Sequence, residues 1–319
     1  LNLLGTPDVR KAAQRGLSFA FAACAVAFCL AFAPPPAAAD AGAWARHMQE
    51  GMAAHGAGDY AAAAFAYEAA LGHAREFGDR DRRLADSANN LAAVYRAQGR
   101  YAKAEPLYRE SLAIYERALG PAHDSLGVAY NNLAVALELQ GRYAEAEPLY
   151  RRSLAISMRA LGKRHPNVAA AMINLARLYT SDGRFAAAEP LARRGLAIVE
   201  RTLGASHPST AAALAYLARL RLAQGKVAEA GLLAERSLAI YESEPGADHP
   251  HAALAVHTLA EIRRAQQRFV EAEALYRRAL GIRERALGSE HPETIASRVA
   301  LFALYRGQGR RAEAEALFR

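Results

Sequence analysis

From about residue 84 onward, two kinds of amphipathic stretch alternate along the chain, and the pair returns every 42 residues. In the copy from Ser125 to Leu161, Tyr130, Leu133, Ala134 and Leu137 stand three, one and three residues apart. That spacing places one apolar stripe on a helix running from about Leu126 to Gln140. Gly141 ends it, because glycine takes the left-handed C-cap conformation at little cost. A second helix opens at Arg142-Tyr143, carries Ala146, Leu149, Tyr150, Leu154 and Ile156 inward, and stops at Leu161-Gly162. His165-Pro166 announces the next unit, since proline is tolerated in a first helical turn. The dipeptide recurs at His207-Pro208, His249-Pro250 and His291-Pro292. The first full unit has His123-Asp124 instead, where Asp124 or Ser125 is expected to cap.

The triplet Asn90-Leu91-Ala92 returns as Asn132-Leu133-Ala134 and Asn174-Leu175-Ala176, after which its first position is held by Tyr216, Thr258 and Ala300. Five steps without an insertion or deletion mark a stack of equal units. Each helix pair has an apolar face too wide for one partner, so neighbouring pairs must stack to bury it. Ala92, Ala134, Ala176, Ala218 and Ala260 keep one crossing point small, and the series breaks at Phe302. Ahead of the regular units, Trp44, Met48 and Met52 predict one helix and Tyr60, Tyr67 and Leu71 a second, followed by a charged linker from Glu76 to Arg83. Pro106, Pro148 and Pro190 fall inside three of the second helices, where each removes a backbone bond. Phe318 and Arg319 align with Tyr276 and Arg277 in mid-helix, so the last unit reads as truncated, with an uncapped apolar face.

Composition narrows the class further. Hydrophobic residues make up 52% of the 319, mostly alanine, and the mixture with Leu, Glu and Arg reads as all-α. Arg10, Lys11 and Arg15 precede an apolar run from Leu17 to Ala33, then Pro34-Pro35-Pro36 and Ala37-Ala38-Ala39. This is the layout of a secretory signal cut after Ala39, the alternative being an uncleaved inner-membrane anchor. The expected organisation is therefore a signal peptide at 1–39, an atypical repeat and linker at 40–83, and the array at 84–319, with five full repeats and a truncated sixth. Cys24 and Cys29 both lie in the leader, so the mature chain is expected to have no disulfide, thiolate metal site or cysteine nucleophile. The net charge of +8 is spread as Arg interleaved with Glu, which reads as solvated helix faces and not as a nucleic-acid surface.

The repeat resembles the tetratricopeptide repeat: small residues at Ala92 and Ala104, aromatics at Tyr95, Tyr101 and Tyr108, a turn at Gly99 and Leu112 in the second helix. The 42-residue length with Leu-Gly-x-x-His-Pro between units is similar to the kinesin-light-chain type, over about residues 43 to 319. The resemblance implies a right-handed α-solenoid of about seven helix pairs whose first helices line a concave groove. It implies that Asn90, Asn132, Asn174, Tyr216 and Thr258 face that groove, with Arg177 and Arg219 one turn later. Asparagine amides can donate to and accept from an extended peptide, or equally satisfy neighbouring protein groups. The two arginines could pair with a carboxylate. Family members that grip a C-terminal carboxylate carry a lysine one turn earlier. Here Asp86, Val128, Ala170 and Ala212 stand there, which argues against that specificity.

No glycine-rich phosphate loop, nucleophile elbow or paired His-Glu motif is present, so neither catalysis nor a cofactor is expected. His165, His207, His249 and His291 lie one per unit, too far apart to converge on zinc, and are expected to serve the turns. The expected function is a non-enzymatic scaffold, periplasmic or secreted in a bacterial envelope, that binds a peptide or protein segment. The alternative is the regulatory arm of a larger enzyme, such as a CHAT-type peptidase, with its catalytic domain beyond residue 319. A further expectation is self-association through the uncapped C-terminal end.

Overall fold

The computed structural model describes residues 40–120, 123–243 and 252–318. The expected leader with its two cysteines, and His249, lie outside them. Within the described residues the chain is helical, without strands, and folds as a right-handed superhelix of stacked pairs. The pairs are α1 Ala41–Gly56 with α2 Tyr60–Arg75, α3 Arg82–Ala97 with α4 Tyr101–Leu119, and α5 Asp124–Leu139 with α6 Tyr143–Leu161. They continue as α7 Pro166–Ser181 with α8 Phe185–Leu203, α9 Pro208–Ala223 with α10 Val227–Tyr241, and α11 Ala252–Ala265 with α12 Phe269–Leu287. The last are α13 Pro292–Gly307 and α14 Arg311–Ala316. No helix among the described residues is long and apolar enough to cross a membrane.

Helix ends follow local chemistry. His165, His207 and His291 each cap the following helix through Nδ1, which accepts from the backbone N–H two residues on at 3.0 to 3.1 Å. His123 does the same for Ser125 at 3.2 Å, with Asp124 sharing that N–H at 2.9 Å, so the histidine caps even where proline is missing. The expected linker is shorter than Glu76 to Arg83: α3 begins at Arg82, because the Asp81 carboxylate accepts from Arg83 N at 2.8 Å. Between the helices of a pair, Gly141 sits at φ 77°, and Gln267 holds φ 61° at the corresponding place before α12. That is a strained position for a side chain.

The core is a continuous ribbon from Met48 through Leu220, joined by further clusters across α9 to α14. Tyr108, Tyr150 and Tyr276 hold one repeat position and are among the largest fully buried side chains, whereas Ala192 and Ala234 occupy that position in α8 and α10. Within a pair, buried serines tie the second helix to the first: Ser111 donates to Ala85 O at 2.8 Å, Ser153 to Gly127 O at 2.6 Å and Ser237 to Ala211 O at 2.7 Å.

Between pairs, a carboxylate on one second helix reaches an arginine of the next pair. Glu105 meets Arg142 at 2.6 Å, Glu147 meets Arg184 at 2.7 Å, Glu189 meets Arg221 at 3.0 Å and Glu273 meets Arg310 at 2.5 Å. Gly231 interrupts the series at the corresponding position of α10. Hydrogen bonds from Arg221 and Gln224 hold the Glu189 carboxyl at about 2. Its contribution to stability is therefore present above the ordinary glutamate value and lost as pH falls toward 2. Glu189→Gln is expected to flatten the fall of the urea midpoint between pH 5 and pH 2, measured by circular dichroism; an unchanged slope would remove the pair from the acid response.

Candidate protein-binding groove

First helices of successive pairs touch one another from α3 to α5, α7, α9 and α11, while the second helices show no comparable contact. The first helices therefore lie on the shorter, inner side of the curve. Here the asparagines are engaged with each other. Asn132 Nδ2 donates to Asn89 Oδ1 at 3.0 Å, and Asn174 Nδ2 donates to Asn131 Oδ1 at 2.9 Å. Asn90 receives only a long contact from Asn89, at 3.4 Å. Asn89 and Asn131 are the partners that the repeat position alone does not indicate; the Asn-Asn doublets at 89–90 and 131–132 are the sequence signal for them.

The same 43-residue offset sets Tyr216 against Ile173, and Thr258 against Ala215. Tyr216 packs on the cluster that includes Ile173 and remains half-buried. Thr258 does not line the open groove: it is 0% exposed, and its hydroxyl has no partner among the described residues. Ala215, the small residue in register with it on α9, is buried as well. Where two amides face each other, the helices are held apart and the groove stays open.

Arg177 and Arg219 occupy equivalent positions with opposite surroundings. Arg177 pairs with Glu138 at 2.6 Å and donates to the Tyr150 hydroxyl at 3.2 Å. Tyr150 in turn donates to Glu138 at 2.6 Å. The Glu138 side chain is only 4% exposed, and burial raises its pKa against the pull of Arg177 and Tyr150. One repeat later Thr180 replaces Glu138 and Ala192 replaces Tyr150, while the arginine is kept as Arg219. Arg219 is exposed and has no hydrogen-bond or ion-pair partner among the described residues. The vacated space is a pocket with a cavity of about 30 Å³, lined by Ile173, Arg177, Thr180, Ala192, Tyr216 and Arg219. The Arg177 guanidinium lies 5.9 Å from the centre of the Tyr216 ring, the outer reach of a cation–π contact.

Successive first helices approach one another more closely toward α11. The charge of Arg219 bears on Glu138, His257 and Arg283 alike. His257, on the inner face of α11, rests edge-on against Tyr276 with centroids 5.4 Å apart. Burial, with Arg283 and Arg219 nearby, lowers its pKa to about 3, so it is neutral across the physiological range. The inner face therefore runs from neutral amides at α3 and α5 to an open cation at α9.

Fold and groove together define a helical-repeat scaffold for protein interaction. The chain belongs to the tetratricopeptide repeat family, whose profile matches residues 43–117, 83–157, 125–201, 182–243 and 251–319. No curated protein sequence matches the chain. Among solved structures, the nearly identical TPR-like repeats of a Podosopora anserina kinesin light chain are 31% identical. That match covers 64% of this chain and 96% of the other, with a TM-score of 0.50. BtubC (BKLC) from P. vanneervenii is 25% identical over 79% of this chain and 95% of its own, with a TM-score of 0.52. A Rap protein complexed with competence and sporulation factor shares the fold at 16% identity, covering 85% and 76% of the two chains with a TM-score of 0.59. The repeats are thus of the kinesin-light-chain-like kind.

The two arginines should separate in a stability measurement. Arg177→Met strands a buried carboxylate and is expected to cost about 3–5 kcal/mol. Arg219→Met, at an exposed and unpartnered site, should stay within about 0.5 kcal/mol of the parent. Urea unfolding of both at pH 7 tests this, and equal losses would contradict the assignment.

Proposed function

We propose that the concave face captures an extended protein segment, and that the pocket around Arg219 takes an acidic side chain together with a neighbouring ring. The observation that carries this is the exchange of Glu138 and Tyr150 for Thr180 and Ala192 around a retained arginine. In α5 to α7 the chain supplies the arginine with its own carboxylate and phenol. In α7 to α9 it supplies neither, and a partner that brings both would complete the same arrangement. A carboxylate against a guanidinium is a strong, directional pair, and the pocket wall formed by Ile173, Ala176 and Tyr216 is suited to a ring edge. The enclosed void holds about one water, so a ring would enter only by its edge and the carboxylate would seat at the mouth beside Arg219.

The amides of Asn132 and Asn174 have a different part in this reading: they hold α3, α5 and α7 apart and so keep the entrance open. Val128, Val135 and Leu139 lie along α5 beside them, half-buried or exposed, and offer apolar contact to the rest of the segment. The groove reads as apolar and neutral at one end and cationic at the other.

The test uses fluorescein-labelled peptides carrying a glutamate beside a tyrosine, with glutamine counterparts, in fluorescence polarisation. The acidic peptides should bind the parent, and Arg219→Glu should weaken them at least tenfold, about 1.4 kcal/mol. The double variant Thr180→Glu with Ala192→Tyr rebuilds the internal network of the preceding unit. It should fold at least as stably and lose the same binding. Unchanged binding in the double variant would contradict the pocket reading.

A further inference from the structure

The superhelix turns far enough for its seventh pair to meet its second. His291 Nε2 stands 2.9 Å from the carbonyl oxygen of Ala97, 194 residues away in sequence. The Nδ1 of the same ring accepts from Glu293 N at 3.1 Å, the cap of α13. One nitrogen accepting and the other donating defines the neutral tautomer with its hydrogen on Nε2. His123, His165 and His207 make the same cap, yet among the described residues none of them uses its second nitrogen in this way.

The fit beside the histidine is steric as well. A Cβ added to Gly99 would lie 2.6 Å from Pro292 Cδ and 3.3 Å from the His291 ring, while the same addition at Gly141 meets nothing within 4 Å. The two glycines have almost the same φ, 72° and 77°, so they differ only in what stands opposite. Glu293 lies close enough to Tyr60 and Tyr101 to oppose their ionisation, which brings α2 and α4 into the same contact. The turn after α3 and the start of α13 belong to opposite edges of the array, because the end of one first helix and the beginning of another point opposite ways along it. Their meeting therefore joins successive levels of the superhelix and not adjacent pairs.

We propose that this contact is a latch that holds the array as one closed superhelical turn, so that the concave face is reached along the superhelix axis while it is shut and from the side once it opens. The latch is sensitive to protonation. His291 is 6% exposed, and burial pushes its pKa below the ordinary imidazole value, with Arg283 adding to the shift and Glu293 and the Ala97 carbonyl opposing it. Tyr60, Arg96 and Tyr101 face the contact from the other level, and His55 stands beside Tyr60 near Arg96. The closed state binds fewer protons than the open one. Closure is thus fully supported above about pH 6.5 and weakens as pH falls through the lowered value. A proton on Nδ1 would also set a donor against the Glu293 N–H and undo the cap. None of this depends on what occupies the groove.

Two matched pairs of variants in the full chain test the latch, read by small-angle scattering and by hydrogen exchange of residues 97–101. His291→Ala should enlarge the radius of gyration at pH 7.5 and speed that exchange at least tenfold; His207→Ala, which loses a cap but no latch, should do neither. Gly99→Ala should open the turn while Gly141→Ala, with the same backbone strain, leaves it closed. Lowering the pH of the parent from 7.5 to 4.5 should reproduce the opened dimensions, and His291→Ala should show no such transition. Equal responses within each pair, whether both open or neither does, overturn the latch, as does a parent whose dimensions ignore pH.

Discussion

Everything in this molecule depends on one packing constraint: a single helix pair cannot bury its own apolar face, so the distance between successive pairs must be fixed by side chains. The inner face shows how that distance is set. At one recurring position the chain places two amides against each other, twice; then Tyr216 packs on the cluster of Ile173, and Thr258, in register with the small Ala215, is fully buried. Amide pairs keep the first helices separated and their polar atoms satisfied. That position contributes to the spacing of the first helices, alongside the carboxylate–arginine pairs that link successive second helices to the next pair. The curvature accumulated over five pairs is also what carries α13 back to the α3–α4 turn.

The same economy explains why the groove has an open cation at all. An arginine recurs in α7 and α9, but the side chains that neutralise it stand only beside the first, Arg177. Arg177 belongs to a buried network of Glu138 and Tyr150 in which every partner is needed, because an unpaired charge in that setting costs several kcal/mol. Arg219 sits in solvent beside a pocket left by two smaller residues, where holding the charge costs the fold almost nothing. Structure and recognition thus use one repeat position in two states, distinguished by what the preceding unit supplies.

The helices, their stacking and their 42-residue register were legible in the sequence because apolar spacing, glycine stops and His-Pro starts are local signals. The groove was legible only in part. Arg177, Tyr216 and Arg219 do meet around one pocket, but Asn132 and Asn174 pair across units with Asn89 and Asn131, which register alone does not reveal. Thr258 is fully buried, because the burial of a first-helix residue depends on how neighbouring helices pack and not on its place in the repeat. The distinction between the two arginines required comparing Glu138 with Thr180 and Tyr150 with Ala192, a comparison across repeats and not along one. The His291 contact with Ala97 lies wholly beyond sequence reading, since it depends on curvature summed over the array.

The claim that the inner face is the binding surface can be tested most directly by site-specific photo-crosslinking in cells. A photoreactive phenylalanine analogue would be placed at Val135, on the inner face of α5, and in parallel at Val270, at the exposed start of α12. The groove account expects a discrete protein adduct from position 135 that disappears when Arg219→Glu is added, and none from position 270. Adducts from position 270 alone, or a position 135 adduct indifferent to Arg219, would contradict it.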